Sequence, residues 1–257
     1  MTILLPAMNI STPLLTLRGG GVISTSSLGK GDAGSITIDA GRVEVIGNGG
    51  QGEFNSQIQT SVGIASRVRN PNATANGGSL NLNVGQLILR NGGTLNLQAL
   101  GSARAGNINV KADSISLDNQ SSIDGRTASG AGANINLEAR DVQLRRGSRI
   151  TTDASISEGG NINIKSEILA ALPKENSDIT ANARSAQGGR VNINVPNVFG
   201  FTAVSREQVR GTLGLTDAQF GALEVSPTSL VPTSDIAAIS QSSGPALQGT
   251  VTFSFLG

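Results

Sequence analysis

The 257-residue chain contains no cysteine, histidine, tryptophan or tyrosine, and only six phenylalanines. Without cysteine there are no disulfides and no thiolate metal ligands. With histidine missing too, most arrangements of nucleophile and general base are excluded. An aromatic fraction of 2% removes the bulk that usually fills a globular interior, so the core must be narrow and lined by Ile, Leu, Val and Ala. Charge is sparse and balanced, 19 basic against 18 acidic residues, and no basic face points to nucleic acid or an anionic membrane. The longest purely apolar runs, such as 168–172, fall far short of the ~20 residues of a membrane-spanning helix. The opening MTILLPAMNI has no positive charge ahead of its apolar residues and is broken by Pro6, so it does not read as a signal peptide.

What the chain does have is glycine, 34 residues, and repetition. GNINV at Gly106 returns as ANINL at Ala133 and GNINI at Gly160, and the first isoleucines, Ile108, Ile135 and Ile162, are 27 residues apart. Leu80 lies 28 residues before this series and Val191 lies 29 after it. Two longer intervals complete the set, with Ile36 44 residues before Leu80 and Val251 60 after Val191. Each anchor has an apolar partner two positions on, as in Ile36/Ile38, Leu80/Leu82 and Ile162/Ile164. A second pair follows at offsets of seven and nine, as in Val43/Val45 and Leu87/Leu89, and a third apolar position at fifteen, at Leu95, Ile123 and Ile150.

Side chains two apart share one face of a strand. Three such strands in about 27 residues, separated by Gly, Asn, Ser and Asp, leave no room for helices. The pattern predicts an all-β fold, a parallel β-helix with three short strands per coil, right-handed as parallel connections are. A leucine-rich repeat has a similar period, but the stretch DGRTASGAGA after SISLDNQSSI is not helix-forming.

The departures from the period divide the chain. Residues 1–33 read as an incomplete N-terminal coil and 34–196 as coils with loop insertions at about 46–57 and 63–77. Residues 197–233 read as an insertion with two short helices, and 234–257 as the final strands. Within the insertion, Ser205–Gln208 and Thr216–Gln219 are helix-start signatures, a hydroxyl followed three residues later by a Gln. Val209, Leu213, Phe220 and Leu223 would form the apolar face of these helices. Open coils at both ends suggest a piece of a longer chain.

Asn81, Asn109, Asn136, Asn163 and Asn192 fall between paired apolar residues, one per coil, and should point outward. They form either a flat polar surface for glycans or a ladder whose amides bond between coils. Phe199, Phe201 and Phe220 lie in the insertion, the second candidate for recognition, because irregular segments on rigid scaffolds often carry function. A protective flap is the plainer reading of the same segment. Parallel β-helices also host polysaccharide lyases and hydrolases, which need clustered carboxylates. Asp124 and Asp178 share an offset of 16 but sit two coils apart, and Asp153 lies at 18, so these acids read as turn and cap groups. Arg145, Arg146 and Arg149 form the one local basic cluster, on a turn. GKGDAG at Gly29 occurs once and lacks the repeating register of calcium-binding nonapeptides. No catalytic residue, cofactor or metal is assigned.

The segments VQLRRGSRITT at 142–152, GGNINI at 159–164, ENSDITANA at 175–183 and GGRVNINV at 188–195 occur in that order. With VFG at 198–200 and the later SDIAAISQ and LQGTVTF, the chain resembles the closing repeats of filamentous haemagglutinin-like exoproteins of cyanobacteria. That resemblance implies export by an outer-membrane two-partner transporter and an extracellular or cell-surface location as part of a longer exoprotein. It implies a structural and adhesive role, with a surface glycan or cell receptor as partner. The family's amino-terminal secretion domain has no counterpart here. The alternatives are a carbohydrate-active β-helix enzyme and a truncated remnant without independent function.

Overall fold

Strand pairing follows the anchors of the repeat. Ile36 pairs with Leu80, Leu80 with Ile108, and the series continues through Ile135, Ile162 and Val191 to Val251, always parallel. The computed structural model describes residues 7–48, 55–65, 68–100, 102, 104–128, 132–242 and 244–254. Among these the chain is mostly β, built on two long parallel sheets.

The first sheet has eleven strands, and its main path runs through Met8–Leu17, Ile36–Ile46, Leu80–Arg90, Asn107–Asp118, Asn134–Glu138, Asn161–Lys165, Arg190–Asn194 and Thr250–Ser254. The second has eight, from Val22–Ser27 through Gln57–Val62, Thr94–Ala99, Ser122–Thr127, Arg149–Thr151 and Asp178–Thr180 to Asp235–Ala237 and Thr202–Ala203. Apolar residues at alternate positions of both sheets point to one shared core, in which Ile36, Leu80, Leu87, Leu95, Ile108, Ile150 and Ile179 are fully buried. Polar residues at the intervening positions face out, as the two-residue period of a strand requires.

Glycine sets how closely the repeats approach. A Cβ added to Gly106 would lie 2.1 Å from the carbonyl oxygen of Gly78, and one on Gly189 would lie 1.9 Å from that of Gly160. Only a hydrogen fits at these positions.

Three expected boundaries shift. Residues 1–33 hold more than an incomplete coil: Met8–Leu17 pairs along its length with Ile36–Ile46, placing Met8, Ile10, Leu15 and Leu17 opposite Ile36, Ile38, Val43 and Val45. Pro13 is tolerated because it falls where the register skips, between the Thr12–Ala40 and Leu14–Arg42 pairs, so no ladder bond is lost. The 63–77 loop is not wholly polar. It contains a short antiparallel pair, Ile64–Ala65 with Val68–Arg69, and returns Ala73 and Ala75 to pack with Ala33, Val62 and Ala99. Residues 66–67 of this loop, and 49–54 of the 46–57 loop, lie outside the described residues.

The 197–233 insertion begins later than the sequence suggests. Asn197–Phe199 still pairs with Ile168–Ala170, and Thr202–Ala203 pairs with Asp235–Ala237. The excursion proper carries helices α1 (Arg206–Leu213) and α2 (Asp217–Gly221). Both start with reciprocal capping boxes, Ser205 with Gln208 and Thr216 with Gln219. Their apolar face closes over Val209, Phe220, Val231, Ala237 and Ile239, with Leu213 and Leu223 at its margin. No helix among the described residues is long and apolar enough to cross a membrane.

Candidate functional site

The outward face of the first sheet carries the asparagines. Each Nδ2 donates to the Oδ1 of the preceding repeat: Asn109 to Asn81, Asn136 to Asn109, Asn163 to Asn136 and Asn192 to Asn163, all at 2.8 Å. Two residues earlier on the same strands runs a second column that sequence reasoning missed, Asn134 to Asn107 at 2.9 Å and Asn161 to Asn134 at 2.8 Å. The signal was present, since the repeated motif is Asn-Ile-Asn and both asparagines flank an inward isoleucine. Register stacks like on like, and the strand spacing of about 4.8 Å suits amide-to-amide bonding. A shallow groove of about 490 Å³ runs beside the first column, with Lys111, Glu138 and Lys165 along its other edge. Lys165 reaches Glu138 at 3.4 Å. The amides of Asn81, Asn109, Asn136, Asn163 and Asn192 that line this groove already bond one another.

The phenylalanines separate. Phe220 has no exposed surface, so it cannot take the surface role expected of it and instead fills the core of the insertion. Phe201 is half-buried against the main core, and Phe199 is exposed.

The second sheet forms a cleft that the sequence did not reveal. Its outward face carries Ser122, Asp124 and Arg126 on one strand, Arg149 and Thr151 on the next, and Asp178 and Thr180 on the third. Asp153 and Asn182 extend the last two rows, beside the bridges that join Thr127, Ala154 and Ala183. Over this floor lies the segment 224–229, held by Asn176 Nδ2 to the Ser229 carbonyl at 3.0 Å, Asn182 Nδ2 to Ser226 Oγ at 3.0 Å and Gln241 Nε2 to the Val225 carbonyl at 2.9 Å. These contacts join residues 16 to 53 positions apart, beyond the reach of any local pattern. The enclosed volume is about 310 Å³.

The shared offset of Asp124 and Asp178 does not survive. Asp124 aligns with Thr151 and Thr180, whereas Asp178 aligns with Arg149 and Ser122. The repeat that begins at Ile162 is two residues longer before its third strand, so equal offsets fall on opposite sides of the inward isoleucine. Asp153 aligns beside Arg126, which puts the Cα atoms of Asp124 and Asp153 on a diagonal of about 8 Å from standard strand spacings.

Burial pushes the Asp124 carboxyl up to about 6, against the pull of Arg126 and Arg149 and helped by the charge of Asp153. Asp178 is pushed up to about 7, again chiefly by burial, although it accepts the Asp235 N–H at 3.0 Å. Asp235 is raised by burial. Each acid is also committed locally: Asp124 Oδ2 lies 2.9 Å from Arg126 Nε, and Asp153 Oδ1 accepts the Asn182 N–H at 2.8 Å.

The basic cluster divides as well. Arg145 is bidentate to Glu175 at 2.7 and 2.9 Å, and Arg146 pairs with Asp118. Arg149 makes no side-chain hydrogen bond or ion pair among the described residues and stands at the rim of the cleft, where its charge acts on Asp124 and Asp178. No group of three or more acidic residues among the described residues is arranged to hold a metal ion.

No family model, curated protein or solved structure matches the chain.

Proposed function

We propose that the chain is a non-catalytic segment of a right-handed parallel β-helix, part of a large secreted bacterial surface exoprotein, with a structural and adhesive role. The observation that carries this reading is the unbroken parallel pairing of one position per repeat, from Met8 to Val251. A stack of this kind extends in one dimension and presents repeated outward columns. The asparagine columns serve it structurally, because their amides satisfy one another and tie each coil to the next. An outer-membrane transporter would export the full-length protein, and a surface glycan or cell receptor would be its partner.

The experiment is cell fractionation with surface proteolysis, followed with an antibody against the chain. A large, protease-accessible band is the expected result. A band near 26 kDa confined to the cytoplasm would overturn the secreted reading and favour a remnant without independent function.

A carbohydrate-active enzyme is the second reading, favoured by Asp124 and Asp153 on one diagonal in a cleft. Two carboxylates on adjacent strands are the residue types such chemistry uses. Against it, both acids are engaged by neighbours, and no histidine or cysteine is available as base or nucleophile. Loss of turnover on a polysaccharide in Asp153→Asn would favour the enzyme. Absence of turnover in the unaltered protein favours the adhesive role.

A further inference from the structure

We propose that the cleft between the second sheet and the 224–229 segment binds the end of a neutral oligosaccharide chain. This supplies a ligand class for the adhesive reading and rests on that reading only for where the protein acts. Binding is measured on purified protein, so it can fail or succeed independently of localisation.

The cleft is a built cavity and not a seam. Its volume of about 310 Å³ is at the lower end of the range for pockets that enclose small molecules. Gln241 is 5% exposed, lines the cavity, and its Oε1 has no partner among the described residues even though its Nε2 is bonded to Val225. Buried amide oxygens are seldom left unpaired. The oxygen itself has less than 1 Å² of exposed surface, so a ligand hydroxyl would satisfy it only after a shift of the side chain.

Charge decides the ligand class. Arg126 is neutralised by Asp124, and Arg184 faces Glu224 at 3.7 Å. That leaves the Arg149 guanidinium facing the Asp153 carboxylate and the buried Asp178, so there is no excess positive charge to select an anionic ligand. What remains is a donor beside an acceptor, the Arg149 guanidinium and the Asp153 carboxylate, with the Thr151 and Thr180 hydroxyls, bonded to each other at 2.9 Å, beneath them. A hydroxyl both donates and accepts, so adjacent sugar hydroxyls can bridge a guanidinium and a carboxylate together. With no aromatic platform in the cleft, recognition is by hydrogen bonding alone.

Shape decides the mode. Bonds to Asn176, Asn182 and Gln241 hold the 224–229 segment over one side. Arg126 forms the opposite rim, and beyond it the outward Asn96 and Gln98 continue the same face. A chain end would seat under the segment while the rest of the glycan runs along the sheet.

The test presents neutral and acidic oligosaccharides on an array to the full chain, followed by titration calorimetry with the best neutral trisaccharide. The expected result is retention of neutral glycans, weakened about tenfold or more by Arg149→Gln and by Asp153→Asn, as for loss of a charge-assisted hydrogen bond. Arg42→Gln, a matched charge change on the first sheet, should leave binding as it was. Asn at 153 can still accept the Asn182 N–H, and Arg149 is exposed, so both variants should keep the wild-type circular dichroism. Retention of no neutral glycan, retention of acidic glycans alone, or unchanged affinity in both cleft variants would overturn the proposal.

Discussion

Asp178 and Asp235 are neighbours on adjacent parallel strands, joined by the Asp235 N–H donating to Asp178 Oδ1 at 3.0 Å. Both are buried, and both carboxyls are raised above the ordinary carboxylate range by that burial. A raised carboxyl stabilises the fold fully below its unfolded value, and the contribution is lost as pH rises through the folded value. For Asp178 that window runs from 3.8 to about 7, and the loss is on the order of 4 kcal/mol. Thermal melts should therefore show stability falling between about pH 4 and 7. Asp178→Asn, which keeps the acceptor and removes the charge, should flatten that slope. A wild-type slope persisting unchanged in the variant would refute this assignment.

Glu175 gives the opposite sign. Its bidentate bond to Arg145 and the Arg146 N–H hold its carboxyl down, to about 2. Its contribution is present above 4.5 and lost as pH falls through about 2. Glu175→Gln should be less stable than wild type at pH 6 and converge with it near pH 2. Parallel melting curves across that range would show that the pair contributes nothing.

Gly189→Ala should destabilise the protein by about 1–3 kcal/mol through forced overpacking, because its Cβ would lie 1.9 Å from the Gly160 carbonyl oxygen. Gly29→Ala is the control, since nothing lies within 4 Å of its added Cβ. Equal denaturation midpoints for the two variants would contradict the close approach.

Asn136 both donates and accepts in its column, whereas Asn192 only donates. Asn136→Ala should cost about 1–3 kcal/mol for two lost bonds, and Asn192→Ala about half of that. Urea denaturation would rank them. The reverse order would mean that the column does not stabilise the fold.

Arg206 ties the insertion together. It is 4% exposed, reaches Glu207 at 2.8 Å and Asp217 at 2.7 Å, donates to the Gln241 carbonyl at 3.3 Å and lies 4.9 Å from the centre of the Phe220 ring. Arg206→Met should release α1 and α2 locally, at a cost of about 1–3 kcal/mol. Faster amide exchange across 206–223 with the sheets unaffected is the expected signature. Uniform exchange along the chain would argue against it.

The repeat was readable because inward aliphatics at fixed offsets report strand register directly, and every anchor from Ile36 to Val251 paired as its spacing implied. The opening strand of the first repeat was missed, leaving that repeat to read as incomplete, because Met8 and Ile10 lack the preceding glycine motif and are followed by Pro13. The insertion was placed too early because Phe199 and Phe201 shift the local composition although the strands there continue. The acids were misaligned by two extra residues in a single repeat. The cleft was unreadable for a different reason. Its floor comes from three repeats and its roof from the insertion, and only the fold brings them together.

The asparagine columns also have a direction. In every bond the donor belongs to the later repeat, so the side-chain amide dipoles add head to tail along each column, and neighbouring amides polarise one another. One terminus of each column therefore presents hydrogens, at Asn81 and Asn107, and the other presents oxygens, at Asn192 and Asn161. The position after Asn161 in its column is Arg190, a cation at the electronegative terminus. The face that looks uniform in sequence is electrically polar from one end to the other.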